Sequence, residues 1–221
     1  WINQRASARF ENTLFVNEFE QERAVDVGLI LDVRAATNLC AGNQSLLEHT
    51  VQATATLADA LLQHGNRVGL FLYGGSVDWT FPGYGKVQRE RILRVLARAR
   101  LERSQVFDKL QHLPTRLFPP HSQLVLISPL QPGDLEDLVS LRAHGYPLLV
   151  LAPDVVDFEQ EVLGERPHLE LAVRLARLER THLFRQMARA GIQVFTWRVD
   201  EPFHQVAYHV LSRAYMWSRT L

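Results

Sequence analysis

Asp32 closes the apolar run GLILD, and Arg34 stands two residues beyond it. A carboxylate at the end of a buried strand faces the crevice where α/β folds hold metal ions and small ligands, and a buried charge there must be matched. Two partners for Asp32 are open. A metal ion such as Mg²⁺ would need further hard oxygen ligands close by. Arg34 would be a fixed cation, attracting a carboxylate about 4 Å away by about 4 kcal/mol at an effective dielectric of about 20, before desolvation costs. Because Arg34 lies in the turn after the strand, its side chain either folds back over Asp32 or points to solvent, leaving Asp32 to cap nearby amides.

Other chemical signatures are incomplete. GGSVD at Gly74 lacks the closing glycine of a nucleophile elbow, since Asp78 stands there. GYGK at Gly83 precedes a helix but lacks the early glycine and the Ser or Thr of a phosphate-binding loop. No pair of histidines has the spacing of a helical zinc site, and His204 and His209 fall on different helix faces. His64-Gly65 and His144-Gly145 read as helix ends, with the glycine as left-handed cap and the histidine near the negative end of the dipole. Cys40 is a lone cysteine, which excludes an internal disulfide. The arginines at 174, 177, 180 and 185 alternate with Glu170 and Glu179 and read as a solvated face.

One stretch reads as a surface for a partner. DWTFPGYGK places Trp79, Phe81, Tyr84 and Lys86 close together beside Pro and Gly, where large rings either tuck onto a neighbouring helix or meet another protein.

The elements that must position these residues alternate. Strand-like runs at Val25 to Val33, Arg67 to Gly74, Gln123 to Ile127, Pro147 to Ala152 and Ile192 to Val199 are separated by helical patterns, which predicts an α/β doubly wound, mostly parallel sheet with helices on both faces. The segment from Ser45 to His64 sets Leu47, Val51, Ala58 and Leu61 on one helical stripe. Ser76 to Gly83 predicts one antiparallel strand at a sheet edge, where Pro82 is tolerated. A last helix carries Phe203, Val206, Val210, Ala214 and Trp217 on its core stripe. Ahead of the first strand, Phe15 and Phe19 alternate with Glu18, Glu20 and Glu22, so residues 1–23 read as an extended arm or strand and 24–221 as the domain.

With 47% hydrophobic residues the chain has the composition of a globular domain. Its 24 basic residues balance its 24 acidic ones, which gives no electrostatic case for nucleic acid. No apolar run approaches the thickness of a bilayer. Residue 1 is Trp rather than Met, which reads as a fragment whose upstream part, with a membrane anchor, precedes it.

The arm RASARFENTLFVNEFEQER, the first strand and the stretch SLLEHTVQATATLADALLQHGNRVGLFLYGG resemble the family known as domain of unknown function 58, which carries a von Willebrand factor A-like domain. The resemblance implies a Rossmann-like fold and upstream transmembrane helices. It also implies an adaptor role beside a MoxR-type AAA+ ATPase in chaperone-like or envelope assembly, on the cytoplasmic side of a membrane. Domains of this kind usually bear a metal-ion-dependent adhesion site built from an Asp-x-Ser-x-Ser run, a Thr and a second Asp. Against that pattern Asp32 is kept, while Arg34 and Ala36 replace the serines, Ser104 is the nearest counterpart of the Thr, and Pro129 replaces the second Asp. A degenerate site without metal or cofactor is the expectation, in a non-enzymatic protein-interaction domain. The alternative is an enzyme or small-ligand-binding protein that uses the crevice at the carboxyl ends of the parallel strands.

Overall fold

The computed structural model describes residues 25–41, 44–74, 78–101, 110, 113–163, 168–204 and 207. In chain order the elements are β1 (Asp26–Asp32), a short hairpin of β2 (Cys40–Ala41) and β3 (Gln44–Ser45), α1 (Leu46–Gln63), β4 (Arg67–Tyr73), β5 (Asp78–Gly83), α2 (Gly85–Leu96), β6 (Gln123–Ile127), α3 (Asp134–Ala143), β7 (Leu148–Pro153), α4 (Val155–Leu163), α5 (Leu169–Arg189) and β8 (Gln193–Trp197). Six of the strands form one sheet in the order β5-β4-β1-β6-β7-β8. All neighbours are parallel except β5, which runs antiparallel to β4 at the edge.

The central strands are apolar throughout because both faces are covered. Leu29 and Leu31 point to the face on which α1 and α2 bring Ala53, Leu57, Leu61, Ile92 and Leu96. Ile30, Phe71, Leu126 and Val150 point to the opposite face, under Leu138 and Leu141 of α3 and Met187 of α5. From β1 the chain first builds outward through β4 and β5, then returns to lay β6 on β1's other side. The carboxyl ends of β1 and β6 therefore flank the point where strand order reverses, the usual position of a crevice.

The five core strands anticipated from sequence form, Gln123–Ile127 with the same ends and the other four with ends moved by one or two residues. Of the edge segment, Ser76 lies outside the described residues, and β5 begins at Asp78. Ser45 caps α1, its Oγ accepting from Leu47 N at 3.3 Å. Gly65 and Gly145 take φ of 78° and 89° after α1 and α3, the left-handed conformation that ends a helix at little cost when the residue is glycine. Phe203 meets Trp197 edge-on, with ring centroids 5.2 Å apart. Val206, Val210, Ala214 and Trp217 lie outside the described residues, as does the whole arm with Phe15, Glu18, Phe19, Glu20 and Glu22.

The solvated-arginine reading needs one correction. Arg174, Arg177 and Arg185 are exposed, but Arg180 is half-buried and donates to Pro129 O at 3.2 Å and Pro153 O at 2.9 Å. Its guanidinium lies 5.1 Å from the centre of the Phe184 ring. It turns inward to the carbonyls just beyond β6 and at the end of β7, which take up its donors. Burial lowers the Arg180 pKa, with Asp154 acting in the opposite direction.

Candidate functional site

The chain turns sharply after β1, and the turn is held by the backbone. Val33 N donates to Tyr73 O at 2.7 Å, and Thr37 N and Oγ1 both donate to Arg34 O. Gly74 passes so close to this turn that a Cβ there would lie 2.6 Å from Arg34 N. The turn aims the Arg34 side chain back over the strand end, where it is 2% exposed.

Arg34 then lies between two carboxylates. Its Nε donates to Asp32 Oδ1 at 3.0 Å and its Nη2 to Asp32 Oδ2 at 2.8 Å. Its Nη1 donates to Asp134 Oδ1 at 3.0 Å and its Nη2 to Asp134 Oδ2 at 2.8 Å. Both pairs are the forked geometry that a planar guanidinium gives with a carboxylate. The remaining lone pairs also find donors: Ser128 Oγ and Arg34 N bind Asp32, and Gln131 N binds Asp134. Ser128 Oγ accepts in turn from Leu130 N, which stabilises Leu130 at φ 68°, a conformation that leucine seldom adopts.

Formally the cluster is one arginine against two aspartates, all buried. Burial disfavours the Arg34 charge, but hydrogen bonds to Asp134 and Asp32 and their charges outweigh it, so its pKa lies above the ordinary arginine value. Tyr73 closes one side, with Arg34 Cζ 5.9 Å from its ring centre. Burial pushes the Tyr73 phenol well above its usual pKa, against the opposing pull of Arg34.

Little space is left for a ligand. The opening beside Asp32, lined by Thr37, Asn38, Leu46, Thr50 and Pro129, has a volume of about 10 Å³. That is roughly enough for one water, whereas small-molecule sites usually run to about 300 Å³ or more. Both carboxylates are engaged by the guanidinium, and the Ser128 hydroxyl points at one of them rather than at a base. Among the described residues no cluster of three or more His, Cys, Asp or Glu side chains could hold a metal ion.

Of the site residues read from sequence, the fold joins Asp32 and Arg34 and sets Pro129 beside them, its carbonyl held by Arg180. Ala36 is exposed, and Ser104 lies outside the described residues. The second carboxylate was not anticipated. It comes from Asp134, five residues after Pro129, at the first turn of α3. The signal was present in PGDLED, a glycine followed by acidic residues, but acidic residues at a helix start are explained by the dipole alone.

The aromatic edge is a separate place. Trp79 and Phe81 alternate along β5 with exposures of 42% and 64%, and Tyr84, just beyond, is 55% exposed. The Arg67 guanidinium lies 5.7 Å from the Tyr84 ring centre. The edge is fixed from beneath by Gln88, which is buried: its Nε2 lies 2.8 Å from Val68 O and Phe81 O and 2.9 Å from Thr80 Oγ1. Lys86 and Val87 are exposed on the first turn of α2.

Residues 1–173 match the family model described as "Protein of unknown function DUF58". The chain belongs to this family. Among solved structures, the conserved hypothetical protein BatB from Bacteroides thetaiotaomicron is 17% identical with a TM-score of 0.56, over 86% of this chain and 99% of that one. The PilB minor pilin from Streptococcus sanguinis is 9% identical with a TM-score of 0.50, over 88% of this chain and 63% of that one. The SpRpn10 VWA domain is 10% identical with a TM-score of 0.49, over 84% of this chain and 94% of that one. No curated protein matches in sequence. The fold of this DUF58 chain is α/β, a mostly parallel six-stranded sheet with one antiparallel edge and helices on both faces, and a VWA domain is among the solved structures it is similar to. No helix among its described residues is long and apolar enough to cross a membrane.

Proposed function

We propose that this DUF58 domain is a non-enzymatic interaction module, an adaptor that docks a protein partner on its aromatic edge rather than in the crevice at the strand ends. One observation carries the reading: Trp79, Phe81 and Tyr84 stand exposed together on an edge strand that Gln88 holds in place. Large rings on a strand that stands at the sheet edge among the described residues are the features of a hot spot, whereas a metal or substrate site needs open coordination or volume. The crevice has neither, because Arg34 occupies the space between Asp32 and Asp134.

The family resemblance suggests a MoxR-type AAA+ ATPase as the partner, with the domain working on the cytoplasmic side of a membrane that an upstream segment reaches. Capture of a purified MoxR-type ATPase by immobilised wild-type chain tests this. Trp79→Ala should weaken capture by about 2 kcal/mol, about thirtyfold, while the variant remains folded. Capture that ignores Trp79 but fails with a folded Asp134→Asn variant would move the docking site back to the strand ends.

A further inference from the structure

The edge is basic as well as aromatic. The chain as a whole is neutral, yet Lys86, Arg89, Arg91, Arg94, Arg98 and Arg100 crowd into and just beyond α2 with Glu90 as the sole acidic residue between them. Arg89 turns towards α1, where its Nε meets Asp59 Oδ1 at 2.7 Å. The other flank of the helix is different. Tyr84, Val87, Arg91, Arg94 and Arg98 recur at spacings of three and four, which places them on one stripe. All five are exposed. Arg98 Nη1 lies 3.8 Å from Asp78 Oδ2, which sets the end of this stripe beside the start of β5. Arg91 and Arg94 form no ion pair among the described residues.

Taking the aromatic edge as the docking site, we propose that its occupant is an acidic, extended protein segment that adds to β5 as a further strand. Backbone groups on the outer side of β5 would pair with such a strand, Trp79 and Phe81 would pack on its apolar side chains, and Arg91 and Arg94 would meet its carboxylates. Three features favour a strand over a helix or a nucleic acid. The aromatic residues are spaced by two along β5, matching alternate side chains of an added strand. A β-edge offers main-chain donors and acceptors that a helix cannot use. Arg91, Arg94 and Arg98 make one stripe along and just past α2, too short to follow a phosphate backbone over many nucleotides.

The test is fluorescence anisotropy on the full chain with two labelled peptides, one of alternating valine and glutamate and one of alternating valine and lysine. The glutamate peptide should bind, more weakly as salt rises, and the lysine peptide should not. Arg91→Glu with Arg94→Glu should reduce binding by about tenfold or more, and the milder Arg91→Gln with Arg94→Gln should reduce it less. Trp79→Ala should also weaken it. Equal binding of both peptides, indifference to the charge changes, no binding by either peptide, or displacement of the glutamate peptide by oligothymidine would overturn the proposal. If ATPase capture still depends on Trp79 in any of those cases, the docking reading survives and only the acidic strand is lost. If that dependence is absent too, both fall.

Discussion

Two ends of the same sheet treat their polar and charged groups in opposite ways. At the carboxyl ends of β1 and β6, three buried charges are satisfied by one another, by a hydroxyl and by backbone amides, and the remaining space is about 10 Å³. At the β5 edge, large rings and arginines face solvent with few partners. A fold of this topology would ordinarily take a ligand at the first place. Here a side chain of the protein fills it, and the proposed docking surface is the second. An open strand-end crevice is therefore not required by the fold: Arg34 from the turn after β1, held between Asp32 and Asp134, closes it.

The sharpest way to break this contrast is to remove the arginine. Arg34→Ala leaves Asp32 and Asp134 buried without a cation, and should cost about 3 to 5 kcal/mol of stability in denaturant unfolding. Pairing it with Asp134→Asn should recover part of that loss, a positive coupling read from a double-mutant cycle. Additive losses would mean that the two groups do not depend on each other. Arg34→Lys should rescue poorly, because an ammonium cannot fork to both carboxylates.

The next largest effect belongs to the edge. Trp79→Ala should lower partner affinity by about 2 kcal/mol, and stability by less than that, since its ring is 42% exposed. A stability loss of about 3 kcal/mol or more would instead make Trp79 a core residue and remove the docking surface. Smaller still is Gln88→Ala. It frees the carbonyls of Val68 and Phe81 and should cost about 1 to 2 kcal/mol, with faster amide exchange across β5 than across β1. Uniform exchange in the variant would show that β5 is held by its pairing with β4 alone.

Strand positions were legible because period and apolar continuity are local properties, and Gln123–Ile127 emerged with the boundaries read from sequence. Asp32 was legible for the same reason, as a charge ending an apolar run. Whether Arg34 turned inward was not, because that depends on Asp134, which lies 100 residues away along the chain. Arg180 misled for a related reason. Arg177, Glu179 and Arg185 near it on the helix are charged and exposed, and the carbonyls of Pro129 and Pro153, brought there by the sheet, draw it in. Pairing across the fold is what a helical or strand period does not encode.

Thermal unfolding of the wild-type chain in EDTA and in millimolar Mg²⁺ or Mn²⁺ shows whether Arg34 is the cation of the strand-end site. If it is, the curves coincide. An ion bound at about one hundred times its Kd would add about 2.7 kcal/mol, which raises Tm by several degrees in a domain of this size. A rise of that kind, abolished by Asp32→Ala, would show that a metal ion rather than Arg34 is the cation there.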